Sequence, residues 1–257
     1  MITSSSNPRL KWVKSLLEKS GERKSSGLCV VEGSKEIKLA LDHGFELVHL
    51  FSDLKHQTGM NSWPVSQQLI SWVHPSLMDK LVLREGTSAL LGVFKTRTWS
   101  LDEFTAESFI VVVDGLEKPG NIGAIARTVA ALGQKALMVT NPVADLFNPH
   151  AIRSSVGALF ALKSGIFSVQ EILALAKQNN YDIFLTHLQG ALPPWEIVYP
   201  AKSILVLGSE AYGVGEAWAQ APLQRIKIPM ATSIDSLNVA NTAAMLIYEW
   251  VRQKNTR

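Results

Sequence analysis

Cys29 is the only cysteine in this chain of 257 residues. A single thiol excludes an internal disulfide and any cysteine-rich metal site, and the six histidines never fall in a His-Glu-x-x-His pattern, so no metal centre is expected. Cys29 lies in an apolar run and reads as a buried strand residue. Long hydrophobic runs are missing too. None reaches the roughly 18 residues that span a bilayer, and the opening Met1-Ile2-Thr3-Ser4-Ser5-Ser6 lacks a signal-peptide core, which predicts a cytoplasmic protein with no membrane partner. There is no internal repeat and no low-complexity segment. Charged residues make up only 18% of the chain and hydrophobic ones 47%, enough for a sizeable core in one large domain or two modest ones.

The charge divides unevenly. Up to Arg97 there are 13 Lys and Arg against 9 Asp and Glu; beyond it there are 12 against 13. A basic front part suits a nucleic-acid partner, because cations displace counterions from phosphates, although an excess of four is also ordinary for a soluble domain. Asn7-Pro8 opens a stretch in which Leu10, Val13, Leu16 and Leu17 share one helical face. Arg9, Lys11, Lys14, Lys19, Arg23 and Lys24 crowd the remainder, a candidate phosphate-contacting arm whose alternative is a solvated helix face. Leu28 to Val31 then reads as a strand, Lys35 to Leu41 as a helix, Leu47 to Phe51 and Gln68 to Val73 as strands, Pro75 to Leu81 as a short helix and Ala89 to Phe94 as a last element. The expected front domain is 1–97, a small α/β layer, followed by a linker at 98–108.

From residue 109 the texture changes. Phe109 to Val113 is apolar without alternation, as a strand covered on both faces would be, and the same texture returns at Ala136 to Val139, Ile183 to Leu185 and Ser203 to Leu207. Helical patterns at Ala124 to Leu132, Val169 to Lys177 and Gly215 to Ala221 separate these runs. Strands alternating with helices over 109–257 predict a mostly parallel sheet with helices on both sides.

Three strand ends carry the polar and glycine-rich residues. Asp114 to Thr128 follows the first buried strand and opens a helix, the position at which open α/β sheets place ligands. Gly120 and Gly123 are spaced unlike a Gly-x-Gly-x-x-Gly fingerprint, and no Gly-Lys-Ser/Thr follows, which disfavours a dinucleotide or triphosphate. Arg127 is unfavourable near a helix N-terminus unless it faces an anion or carboxylate; an ordinary surface arginine is the alternative. Leu207 to Gly215 ends a second strand in a glycine-rich turn. The third stretch, Ile228 to Ala240, joins a short strand at Arg225 to Pro229 to a helix bearing Val239, Ala243, Leu246, Ile247 and Trp250, with Asp235 or Ser236 as the expected N-cap. Free N–H groups at such a helix start hold polar ligand atoms readily, although the stretch also describes a simple capped C-terminal helix.

These three segments resemble the motifs of the SpoU (TrmH-type) RNA 2′-O-ribose methyltransferases of the SPOUT class. Asn121-x-Gly123-Ala124-x-x-Arg127-Thr128 is similar to the first motif, Leu207-Gly208-Ser209-Glu210-x-x-Gly213 to the second, and Ile228-Pro229-Met230 with Ser236-Leu237-Asn238-Val239 to the third. Ser209 stands where Asn is frequent and Asn241 where a small or apolar residue is usual. Asn7-Pro8, Val31-Glu32-Gly33 and Thr87 to Phe94 resemble the ribosomal-protein-like RNA-binding domain that often precedes this catalytic domain.

The resemblance implies an α/β fold with a C-terminal trefoil knot, a homodimer, S-adenosylmethionine as cofactor and RNA as partner, with ribosomal RNA expected ahead of transfer RNA. The knot goes against the general rarity of threaded chains. It also implies that Leu207, Gly208, Glu210, Ile228, Met230 and Leu237 hold the cofactor, and that Arg127, Asn121, Glu210, Ser236 and Asn238 form the catalytic set. Arg9, Lys11, Lys14, Arg23 and Lys24 would contact RNA. Arg127 is expected to clamp phosphate and stabilise the oxyanion, since a guanidinium is a poor general base. A noncatalytic RNA-binding or ribosome-assembly protein on the same fold is one rival; the intact motif residues argue against it. A nucleotide-dependent oxidoreductase is the other, disfavoured by the missing fingerprint.

Overall fold

Asn7 starts the first helix, α1 (Pro8–Glu18). Its side-chain oxygen accepts the Arg9 N–H at 2.9 Å, and Pro8 follows with its φ already suited to the first turn. The computed structural model that shows this describes residues 1–53, 63, 65–82, 90–187, 191–209, 213–220, 222–231 and 236–255. They form two units: Met1–Arg97 with Phe147–Phe160, and Thr98–Leu146 with Ala161–Arg257.

In the front unit α1 buries Leu10, Val13 and Leu16, the face that the spacing predicts. After α2 (Ser20–Ser26) the chain forms β1 (Leu28–Glu32), α3 (Ser34–Asp42), β2 (Leu47–Ser52), β3 (Ile70–Trp72), α4 (Pro75–Met78) and β4 (Leu90–Lys95). The sheet order is β1-β4-β2-β3, with β4 antiparallel to β1 and β2, and β3 parallel to β2 at the edge. Cys29 is fully buried on β1.

Arg23 departs from its expected place on the phosphate-contacting face. It is only 3% exposed, and its Nη1 donates to the Leu16 carbonyl at 2.7 Å and the Leu17 carbonyl at 3.2 Å. The last carbonyls of a helix have no intrahelical donor, so a buried guanidinium beside α1 satisfies them from within the fold. Arg9, Lys11, Lys14 and Lys24 are exposed. Lys14 sits 3.7 Å from Glu18, one turn on.

The segment Phe147–Phe160 also lies in this unit, although its sequence falls within 109–257. Phe160 packs edge-on to Phe45 at 4.8 Å between centroids and lies 6.4 Å from Phe94, while Phe147 reaches Phe45 at 6.3 Å. The short helix α6 (Pro149–Ser154) in this segment is capped by Asn148 and packs on β1.

The rear unit is a six-stranded, wholly parallel sheet: β5 (Phe109–Asp114), β6 (Ala136–Thr140), β7 (Lys163–Ile166), β8 (Asp182–Thr186), β9 (Ser203–Leu207) and β10 (Leu223–Ile226), in the order β10-β8-β9-β5-β6-β7. Every residue of β5, β6 and β9 is buried, which is why these strands read as unbroken apolar runs. The helices are α5 (Pro119–Ala131), α7 (Val169–Asn179) and α8 (Val239–Asn255). β7 escaped the sequence reading, being four residues long and interrupted by Gly165. The helix expected over Gly215 to Ala221 is a 3-10 turn, Glu216–Gln220, and the strand expected to run to Pro229 stops at Ile226.

Residues 98–108 are packed into this unit. Ser100 and Glu103 form a reciprocal cap on a 3-10 turn, Leu101–Phe104, and Phe104 is fully buried, edge-on to Phe167 at 5.5 Å. The Tyr181 hydroxyl donates to the Phe104 carbonyl at 3.1 Å.

Candidate active site

All six rear strands run the same way, so the ends of β5, β9 and β10 share one edge of the sheet. β5 and β9 are neighbours there, and from β5 the chain turns to β6 on the opposite side, a reversal of the kind that opens a ligand crevice.

Asp114, the last residue of β5, ties the first two loops together. Its side chain is 2% exposed. Oδ1 accepts from Thr140 Oγ1 at 2.8 Å and Asn141 Nδ2 at 2.7 Å, while Oδ2 accepts from the Gly215 N–H at 2.8 Å and Trp218 Nε1 at 3.1 Å. One buried carboxylate thus joins β5, β6 and the turn after β9. Asp114 carries no role in the three motifs; the signal available in the sequence is a carboxylate ending a wholly apolar strand, where burial demands partners.

Gly208 makes the second loop possible. A Cβ at this position would stand 2.3 Å from the Gly213 carbonyl carbon, 2.4 Å from its oxygen and 2.7 Å from the Val214 nitrogen. Ser209 and Gly213 exchange backbone hydrogen bonds at 2.8 and 3.0 Å across this tight turn, and Gly213 has φ 68. Leu207, just before it, is fully buried. Glu210, expected to serve both cofactor and chemistry, lies outside the described residues.

The third loop meets the first through two asparagines. Asn238, not Asp235 or Ser236, caps α8: its side-chain oxygen accepts the Ala240 N–H at 2.9 Å and its carbonyl accepts the Thr242 N–H at 3.0 Å. Its Nδ2 then donates to Asn121 Oδ1 at 3.2 Å, reaching the first turn of α5. Asp235 lies outside the described residues, and Ser236 is exposed. Among the described residues no side chain caps α5 at its N-cap, and its first turn carries no acid. Arg127 is exposed on α5. Six residues at the helical pitch place it about 120° around the helix from Asn121, so the two address different sides of α5.

Ile228, Met230 and Leu237 are half-buried, and among the described residues none of the three makes a backbone hydrogen bond. Half-buried backbone donors and acceptors without partners are costly unless a ligand or solvent satisfies them. Such a segment can hold the edge of a flat heterocycle.

The SpoU rRNA Methylase family model matches residues 108–248, more than half of the chain. The chain belongs to this family. Residues 7–92 match the MRM3-like substrate binding domain. A 23S rRNA (uridine(2479)-2′-O)-methyltransferase of Streptomyces viridochromogenes is 30% identical over 98% of the chain and 92% of its own length. The crystal structure of the SpoU methyltransferase AviRb from the same organism, in complex with the cofactor AdoMet, is 27% identical with a TM-score of 0.87, covering 98% of this chain and all of that one. A structure described as an RNA 2′-O ribose methyltransferase is 34% identical, with a TM-score of 0.79 and 99% of each chain covered. The family and the α/β fold expected from the three motifs are therefore those found. Among the described residues no helix is long and apolar enough to cross a membrane.

Proposed function

We propose that this protein is an S-adenosylmethionine-dependent methyltransferase acting on a ribose 2′-hydroxyl of ribosomal RNA. The observation that carries the reading is the joining of the three motif segments by hydrogen bonds, Asp114 to Gly215 and Asn238 to Asn121. The relatives' names favour ribosomal over transfer RNA, and the AdoMet complex of AviRb supports the cofactor.

Among the described residues the backbone of Ile228, Met230 and Leu237 makes no hydrogen bond and Gly208 leaves no room for a side chain, features that fit an adenosine moiety, with Leu207 of the same motif beside Gly208. Glu210 belongs to the same set by motif. When bound, S-adenosylmethionine supplies an activated methyl group on a sulfonium. The chain's own task is to position the ribose, exclude water and stabilise the charge left on oxygen as its proton departs. We assign Arg127 to the RNA phosphate and the developing oxyanion, and Asn121, Ser236 and Asn238 to orienting ribose and loop. A base role for Arg127 is disfavoured because a guanidinium is a poor general base.

Arg9, Lys11, Lys14 and Lys24 serve the RNA backbone in this reading, with 1–97 as the substrate-binding domain and 109–257 as the catalytic one. Family membership further suggests the trefoil knot and a homodimer in the cytoplasm. Met245 and Tyr248 on α8, and Trp195 on the turn packed against α8, are 51%, 59% and 65% exposed, an apolar surface suited to a second copy. Calorimetry with S-adenosylmethionine should show micromolar binding, about −8 kcal/mol. Arg127→Ala should keep that affinity within twofold while methyl incorporation into ribosomal RNA falls at least about a hundredfold. No cofactor binding by the wild type, or full activity in Arg127→Ala, would overturn the respective assignments.

A further inference from the structure

The front unit holds a cavity of about 480 Å³ between the start of α1 and the edge strand β3. Its walls include Ile2, Asn7, Arg9, Ile70, Ser71 and Trp72. The volume lies in the range, roughly 300–1,000 Å³, that small-ligand sites occupy. We propose that this cavity binds one unpaired nucleotide of the RNA strand, with its phosphate on Arg9 and its base against Trp72. The proposal rests on the reading above only for the identity of the polymer.

Arg9 is held in place from beneath. Its Nη1 donates to Ser71 Oγ at 3.0 Å, and Ser71 Oγ lies 2.8 Å from His49 Nε2. Ser71 is 5% exposed and His49 8%, so a surface guanidinium is anchored on a buried polar pair. An ordinary surface arginine sweeps freely through solvent. This one has already lost much of that freedom before any ligand arrives, which lowers the entropy cost of binding an anion. Ser71 engages one of five guanidinium N–H donors, and no carboxylate pairs with Arg9 among the described residues. Burial and the Arg9 charge both lower the pKa of His49, so the pair adds no second cation to repel Arg9.

Backbone fixes another part of the lining. The Ile2 N–H donates to the Trp72 carbonyl at 2.7 Å and the His74 N–H to the Ile2 carbonyl at 2.9 Å, extending the sheet beyond β3. Ile2, Ile70 and half-buried Trp72 complete the lining, Ile70 and Trp72 alternating with Ser71 along β3. A cation and an aromatic residue in one lining match a nucleotide whose phosphate and base face are both free. Duplex RNA cannot present one, because its bases are stacked on both sides. Among the described residues no acidic side chain lines the cavity, and exposed Lys11 and Lys14 continue along α1 as further phosphate contacts.

The test uses the full chain and a short 5′-fluorescein-labelled single-stranded RNA, read by anisotropy. Arg9→Gln and Trp72→Leu should each weaken binding about tenfold or more, whereas Lys38→Gln, which removes an exposed cation on α3 of the same unit, should change it less than twofold. Trp72→Phe keeps a ring and should bind within about threefold of wild type, which separates lost stacking from a damaged fold. A 4-thiouridine version of the RNA should crosslink to the peptides carrying Trp72 or Arg9. Wild-type affinity in both Arg9→Gln and Trp72→Leu, equal losses in Lys38→Gln, or an equal loss in Trp72→Phe would overturn the site. Displacement of the RNA by micromolar uridine 5′-monophosphate would make it a free-nucleotide site and overturn the RNA assignment. S-adenosylmethionine calorimetry on the same samples tests the catalytic reading separately, since its failure would leave the anisotropy result intact.

Discussion

Replacing Asp114 tests whether one buried carboxylate holds the crevice together. Its four donors are not equivalent. The Gly215 N–H and Trp218 Nε1 can only donate, whereas the Thr140 hydroxyl and the Asn141 amide can turn to present an acceptor. Asn at 114 can therefore keep its oxygen toward Gly215 and Trp218 and point its NH₂ at Thr140 and Asn141. The four bonds survive but lose their charge assistance. At a fraction of a kcal/mol to about 1 each, partly offset by relief of carboxylate desolvation, Asp114→Asn should cost about 2 kcal/mol. Asp114→Ala leaves Trp218 Nε1 and the Gly215 N–H without an acceptor, at about 1–3 kcal/mol each, and loses the bonds to Thr140 and Asn141 as well. About 5 kcal/mol is expected. Urea unfolding gives both values, and calorimetry on the variants that remain folded gives the consequence for the site: cofactor affinity should fall with the anchorage of the Gly215 turn. Equal losses in the two variants, or less than about 1 kcal/mol in Asp114→Ala, would refute the donor-by-donor reasoning.

Gly208→Ala drives a Cβ into backbone at 2.3 to 2.7 Å, so the Ser209–Gly213 turn must open, and S-adenosylmethionine affinity should drop more than about tenfold. Gly115→Ala is the control: among the described residues nothing lies within 4 Å of its Cβ, and only the strain of φ 65 remains, about 1 kcal/mol in urea unfolding with little change in calorimetry. His49 gives a pH signature. Burial first, and the Arg9 charge second, lower its folded pKa below the ordinary 6.5, so the unfolded chain binds the extra proton first. Its contribution to stability is complete above about pH 6.5 and is lost as pH falls through the depressed folded value. Urea unfolding from pH 7.5 to 5 should show a shallower fall in stability for His49→Gln than for wild type, and identical slopes would rule the effect out.

Periodicity made the parallel sheet legible because β5, β6 and β9 are buried on both faces, and such burial leaves an unbroken apolar run in the sequence itself. The α1 face and the three strand-end loops were legible for the same reason: each is set by residues within a turn or two of one another. Arg23 was misread because its partners, the carbonyls ending α1, become available only once the helix has formed beside it. The cap of α8 was misplaced by a few residues, since Asn238, Ser236 and Asp235 all have suitable side chains and the bond from Asn238 to Asn121 accompanies only one of these choices. Phe147–Phe160 joins the front unit through rings on Phe45 and Phe94, far away in sequence. Local propensity cannot weigh such contacts. Asp114 shows the limit most clearly, because its donors lie 26, 27, 101 and 104 residues further along the chain. A strand-ending carboxylate says that partners must exist; the order in which six parallel strands are laid side by side decides which they are.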